Sequence, residues 1–254
     1  FANGVAAMSA SGLYGETRVC AGIVGNADLR LGEHVALVLD ALIAAGGRRF
    51  RGVRHQASWD ETGNVHPGRF VTGPHTYMDP NFRAGFAELA AHELSFEGWC
   101  YHPQIPELTD LARAFPDTTI VLNHFGGPLG VGPYAGKTDE IFAAWKGDIA
   151  ELAECENVVA KLGGINMISN GFGWHEKDRP PTSAELLAAT RRYYEHTIEC
   201  FGIERCLFES NFPVDRVTCS YNVLWNTFKR LTAGYSADEK AALYHDNAAR
   251  VYRL

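Results

Sequence analysis

Six times along this chain a short apolar run gives way to a longer segment with helical spacing. The runs lie near residues 18, 50, 95, 119, 159 and 206 of 254. A strand followed by a helix, repeated, points to a parallel sheet. Parallel neighbours need a long crossover, and a helix supplies it. A closed (β/α)8 barrel needs eight such units. Two solutions remain: an open sheet, or a TIM-type (β/α)8 barrel whose first two βα units are absent from this chain. Phe1 to Ala10 is apolar and has no start signal, like a helix entered midway. That favours the α/β barrel.

The elements follow in order. Arg18 to Val24 is the first expected strand. Glu33 to Ala45 places Val35, Val38, Leu39, Leu42 and Ile43 on one helical face, and Gly46-Gly47 stops it. Phe50 to His55 is an arginine-rich strand. Asp79-Pro80 caps and opens a helix with Phe82, Phe86, Leu89 and Ala90 on one face. Strands are expected at Leu94 to Tyr101, Thr118 to Asn123 and Val158 to Leu162, with helices at Pro106 to Phe115 and Asp139 to Cys155. Thr182 with Glu185, and Ser236 with Glu239, form capping boxes. No low-complexity tract or charge run marks a linker, so residues 1–254 are expected to form one domain.

The last strand carries the densest chemistry. Cys206-Leu207-Phe208 is apolar, and then Glu209, Ser210, Asn211 and Asp215 gather around Phe212-Pro213. Proline has no N–H for a sheet ladder, so the strand ends there. Polar groups therefore collect at the carboxyl end of a buried strand, where barrels and open α/β sheets place their chemistry. The plain alternative is a loop with a helix cap.

The other strand ends match it. They carry Arg54-His55, His102-Pro103-Gln104, Asn123-His124-Phe125-Gly126-Gly127-Pro128 and Lys161-Leu162-Gly163-Gly164. In a parallel sheet all of these lie on one rim. Histidine suits metal ligation or proton transfer near neutral pH. Arginine grips a carboxylate through two parallel hydrogen bonds. Each has a bland alternative: a bonded structural histidine, a solvated arginine, or a lysine snorkelling from a strand end. Recurrence of His102, His124 and Asn211 at one place in their units outweighs those alternatives. His34, His92, His196 and His245 fall on helices and read as structural or solvated. The loop Trp174 to Pro181 is either a lid over the rim or a solvated excursion.

Composition narrows the setting. Apolar residues make up 46% and charged residues 21%, ordinary for a globular protein. The net charge of -7 argues against nucleic-acid binding, which favours a basic face. No apolar run is long enough to span a bilayer, and no leader opens the chain. Six scattered cysteines without a C-x-x-C pair suit a reduced, cytoplasmic setting.

These motifs carry a family likeness. Tyr101-His102-Pro103, His124-Phe125-Gly126-Gly127-Pro128, Glu209-Ser210-Asn211-Phe212-Pro213 and the ending around Asn247-Ala248-Ala249-Arg250-Val251-Tyr252 stand in a telling order. The chain resembles the amidohydrolase-related proteins of the amidohydrolase superfamily. That branch includes 2-pyrone-4,6-dicarboxylate lactonase and metal-dependent hydrolases of TIM-barrel fold. In the family's barrel numbering, His102 matches the strand-five histidine, His124 the strand-six histidine and Asn211 the strand-eight acid. Two departures stand out. The strand-one His-x-His, which supplies two metal ligands where metal is bound, is missing. Asparagine at position 211 orients water or a carbonyl but takes no proton. Glu209 and Asp215 are the substitutes in range, and the strand pleat decides whether either faces the site.

The resemblance implies a hydrolase acting on a small carboxylated lactone, ester or amide. His124 and Asn211 would be catalytic, and Arg54, His102 and Lys161 would bind substrate. His102 would be a metal ligand only if upstream residues complete the set. One divalent metal, zinc or manganese, and a metal-free mechanism both stand open. Two other readings are a metal-dependent decarboxylase of the same superfamily and a non-catalytic relative that binds a small ligand. The expected partner is a small carboxylated substrate, with no nucleic acid and no membrane. A homo-oligomer is compatible with the sequence.

Overall fold

The computed structural model describes residues 1–63, 65 and 72–254. Six parallel strands make one sheet: β1 (Ile23–Asn26), β2 (Phe50–Gln56), β3 (Ser95–Trp99), β4 (Ile120–Leu122), β5 (Val158–Leu162) and β6 (Cys206–Phe208). They pair in chain order, β1-β2-β3-β4-β5-β6. A doubly wound sheet reverses its order at a switch point, whereas a barrel wall runs on in sequence. The observed order is that of a barrel wall.

Helices connect the strands. Those described are α1 (Ala2–Ala10), α2 (Val35–Gly46), α3 (Pro80–Ala91), α4 (Ile105–Ala114), α5 (Thr138–Ala153), α6 (Ser183–Phe201), α7 (Tyr221–Leu231), α8 (Ala237–Ala241) and α9 (Asn247–Tyr252). A π turn, Ala242–Asp246, joins the last two. Asp79 caps α3 by accepting from the backbone of Asn81 and Phe82. Both expected capping boxes form, at the starts of α6 and α8.

Strand alternation sorts the side chains into two layers. Val53, Phe96, Ile120, Leu122, Val158, Ala160, Cys206 and Phe208 pack in the main core with the helices. On the opposite face Val121, Val159 and Leu207 meet Ala248, Val251 and Tyr252 of α9. Glu97 and Lys161 share that inner face: Glu97 pairs in register with Val121, and Lys161 with Leu207. The inner face therefore has an apolar floor and a polar rim.

Three local expectations need correction. The first strand is Ile23–Asn26, not Arg18 to Val24. Cys20 has a left-handed backbone (φ 55°), which no strand contains. Ala90 is exposed, not on the buried face of α3. Gly85 takes that place, because the carbonyl of Leu29 leaves no room there for a side chain. The third and fourth strands are also shorter than expected, at Ser95–Trp99 and Ile120–Leu122. None of the six cysteines is in a disulfide. Among the described residues, no helix is long and apolar enough to cross a membrane.

Candidate active site

At the end of β4 the chain turns sharply. His124, Phe125, Gly126 and Gly127 all have positive φ (53°, 59°, 62° and 47°). The two glycines adopt this freely, and the His and Phe do not. Packing holds them there. Phe125 is fully buried against the Tyr194 ring, and its carbonyl accepts from Trp145 Nε1 at 2.7 Å. Strained backbone pinned by its surroundings is common at functional sites.

The turn delivers the His124 imidazole to the rim. Its ring meets Trp99 edge-on at 4.8 Å between centroids. Its Nδ1 stands 2.5 Å from Glu209 Oε1, a close contact at an angle outside that of a regular hydrogen bond. Lys161 Nζ lies 3.9 Å from the other Glu209 oxygen. Glu209 lies on the polar rim just beyond β6. Burial pushes its carboxyl up, but His124, Lys161 and Arg54 outweigh burial and hold it down at about 2.

Glu97, on β3, is fully buried beneath this pair. Its Oε2 takes Lys161 Nζ at 2.6 Å and Asn123 Nδ2 at 2.7 Å, and the Arg54 guanidinium is 3.6 Å away. Its Oε1 accepts from the Tyr252 hydroxyl at 2.5 Å. Burial alone would raise this carboxyl, yet Lys161, Tyr252 and Arg54 lower it below its ordinary value. A buried carboxylate is costly unless paired and hydrogen-bonded in this way.

Asp215 is also fully buried. Its Oδ1 accepts from Asn211 Nδ2 at 2.7 Å, while Oδ2 has no partner among the described residues. Burial pushes this carboxyl up to about 7, against the pull of Asn211 and His124 and with a further push from Glu209. It is therefore poised to change charge near neutrality.

The sequence-derived residues separate into three places. His124, Lys161 and Arg54 meet around the two carboxylates. Asn211, at φ 50°, sits one step back and holds Asp215. His102 stands apart: its Nδ1 accepts from Leu129 N–H at 3.3 Å and its ring meets Tyr134 edge-on. It lines a cavity of about 300 Å3 with Asp60, Tyr134 and Lys137. Burial drops the His102 imidazole to about 4, with Asp60 opposing, so it is neutral at neutral pH.

Glu97 and Trp99 were not singled out by the sequence; Tyr252 stood only in the closing motif with no role assigned, and Glu209 and Asp215 entered among the polar groups after the last strand and as substitutes for the replaced acid. The signal for the first two was the alternation of β3, which sets Glu97 and Trp99 on the face opposite Phe96. The closing motif did not show what Tyr252 faces, because its contact with Glu97 spans 155 residues.

Among the described residues no three His, Cys, Asp or Glu side chains converge to hold a metal ion. His102, the candidate ligand, already has its Nδ1 committed to a backbone N–H. These residues do not form a metal site by themselves.

Two cavities lie along the sheet. One of about 300 Å3 opens on the inner face, lined by Gly22, Val24, Lys161, Tyr252 and Leu254. A larger one, about 620 Å3, lies at the other end of the strands beside Arg51, Ser95, Asn157 and Arg205. Guanidiniums there are spent on backbone carbonyls. Arg51 donates to those of Tyr252 and Arg253, and Arg205 to those of Ala153, Cys155, Val158 and Phe201. That cavity is remote from the rim chemistry.

A family model for amidohydrolases matches residues 14–254. The chain belongs to the amidohydrolase family. It is a hydrolase of that superfamily, as its motifs led us to expect. An uncharacterized protein of Sinorhizobium fredii, y4mH, is 37% identical over 233 residues, covering 92% of this chain and 70% of the relative. The L-fucono-1,5-lactonase of Burkholderia multivorans is 29% identical over 243 residues, covering 94% of this chain and 73% of the lactonase. Among solved structures, an amidohydrolase from Burkholderia multivorans superposes with a TM-score of 0.75 at 26% identity, covering 94% of this chain and 75% of that one. The parallel strands in chain order agree with the barrel wall of this superfamily.

Proposed function

We propose that this amidohydrolase hydrolyses the ring ester of a small lactone, with sugar-acid lactones as the leading class. The observation that carries the reading is the His124–Glu209 pair, 2.5 Å apart, at the carboxyl end of the strands. A carboxylate on one imidazole nitrogen fixes the ring and favours the protonated form during proton transfer. Similarity to the L-fucono-1,5-lactonase of Burkholderia multivorans supports the lactone class.

In this mechanism His124 Nε2 takes a proton from water as the water oxygen attacks the lactone carbonyl. The ring C–O bond then breaks. The proton passes from His124 to the departing alkoxide, and an open hydroxy acid leaves. Asn211 orients the water through its Oδ1, since its Nδ2 is held by Asp215. Arg54, whose side chain is 38% exposed, reaches substrate carboxylate or hydroxyl groups. Lys161, bonded to Glu97 and 3.9 Å from Glu209, steadies charge at the rim. His102, neutral, would hold the far end of the substrate by hydrogen bonding. The test is turnover of sugar-acid lactones by the wild-type protein beside His124→Ala.

A further inference from the structure

We infer that Glu97 is a positioning residue: it holds Lys161 away from Glu209 and so leaves the Glu209 carboxylate to His124. The inference rests on reading His124 as the proton-moving group. Lys161 stands between two carboxylates and has chosen one. Its Nζ is 2.6 Å from Glu97 and 3.9 Å from Glu209. Glu209 in turn is 2.5 Å from His124. The four side chains thus form a line in which acidic and basic groups alternate: Glu97, Lys161, Glu209, His124.

Glu97 is fixed too firmly to follow Lys161. Tyr252 on α9 holds one carboxylate oxygen at 2.5 Å, and Asn123 at the end of β4 holds the other at 2.7 Å. Arg54 on β2 faces it at 3.6 Å. Lys161 also lies over the Tyr252 ring, 5.5 Å from its centroid. The last helix of the chain therefore anchors the far end of the line.

Removing the Glu97 charge leaves Glu209 as the nearest anion for Lys161. The ammonium then closes on Glu209 and competes with His124 for it. A cation drawn toward an imidazole disfavours the imidazolium. The other titratable group facing His124 is Asp215, after β6, whose carboxyl burial pushes up to about 7. On β3 it meets the uncharged Trp99, and after β5 the backbone of Gly164. Neither offers a replacement counter-charge.

The test is the titration of His124, followed by NMR of the imidazole nitrogens, with His124→Ala identifying the resonance. In Glu97→Gln the midpoint should fall by about one pH unit. Glu97→Asp, which withdraws the carboxylate by one methylene, should lower it by less. Lys161→Met should move it the opposite way. An unchanged or raised midpoint in folded Glu97→Gln overturns the inference. If Glu97→Gln does not fold, Glu97→Asp decides alone: a lowered midpoint supports the role and an unchanged one overturns it. The readout needs no substrate, so it separates from the lactonase reading. A shifted midpoint in a protein that opens no lactone keeps the Glu97 role and removes the function. Lactone turnover with an unshifted midpoint does the reverse. In an active enzyme, the acidic limb of the kcat/KM profile should move with the NMR midpoint.

Discussion

Gly164 lies directly against His124: a methyl group on its Cα would come within 2.3 Å of the imidazole Nδ1. The ring thus rests on bare backbone, on the side that faces Glu209. Gly164 also has φ +77°, a conformation that disfavours a side chain. Gly164→Ala should therefore push His124 out of line with Glu209. Turnover should fall by about 10²-fold or more, the loss typical of a displaced catalytic group. Kinetics with a melting curve as control would check this. Full activity would show that the ring position is not critical.

Asp215 should make stability depend on pH in a particular direction. Its carboxyl is raised from 3.8 to about 7, so the folded state binds its proton more tightly than the unfolded chain. That contribution is fully present below about pH 4 and is lost as pH rises through about 7. Asp215→Asn lacks it and keeps an oxygen for Asn211. The variant should gain on wild type, by on the order of 4 kcal/mol, between about pH 4 and pH 8. Urea unfolding across that range measures the gap. A gap that stays flat would contradict a buried neutral carboxyl.

Gly85 is a structural counterpart. A methyl group there would stand 2.1 Å from the Leu29 carbonyl oxygen, which is backbone and has little freedom to yield. Gly85→Ala should cost about 1–3 kcal/mol through overpacking, despite alanine's better helix propensity. A thermal melt would show the drop. A rise in melting temperature would mean that α3 and the Leu29–His34 turn separate easily.

The fold was legible because its signals are local and repeated. The Val158–Leu162 strand falls where its apolar run put it. Asp79-Pro80 and the two capping boxes announced their helices by side-chain chemistry alone. The first strand was misplaced because Arg18 to Val24 has composition but no pairing information. Its true register is set by β2, with Asn26 opposite Arg54.

The site was legible only in part. Strand ends located His124, Lys161 and Arg54 on one rim, because parallel strands bring their carboxyl ends together. What the sequence hid is which group each one faces. Lys161 turns to Glu97 and Arg54 approaches the same carboxylate, and that carboxylate lies inside a strand rather than at its end. Asn211 drew attention as a replaced acid. Its partner Asp215, four residues on, is fully buried only because the turn after Pro213 folds it inward.

Lactone turnover by wild type and His124→Ala, measured side by side on a panel of sugar-acid and carboxylated lactones, tests the central claim most directly. The wild type should open the ring, and the variant should lose at least about 10²–10³ in kcat with its fold intact. Equal rates in the two proteins, or no turnover of any lactone by the wild type, would contradict that claim.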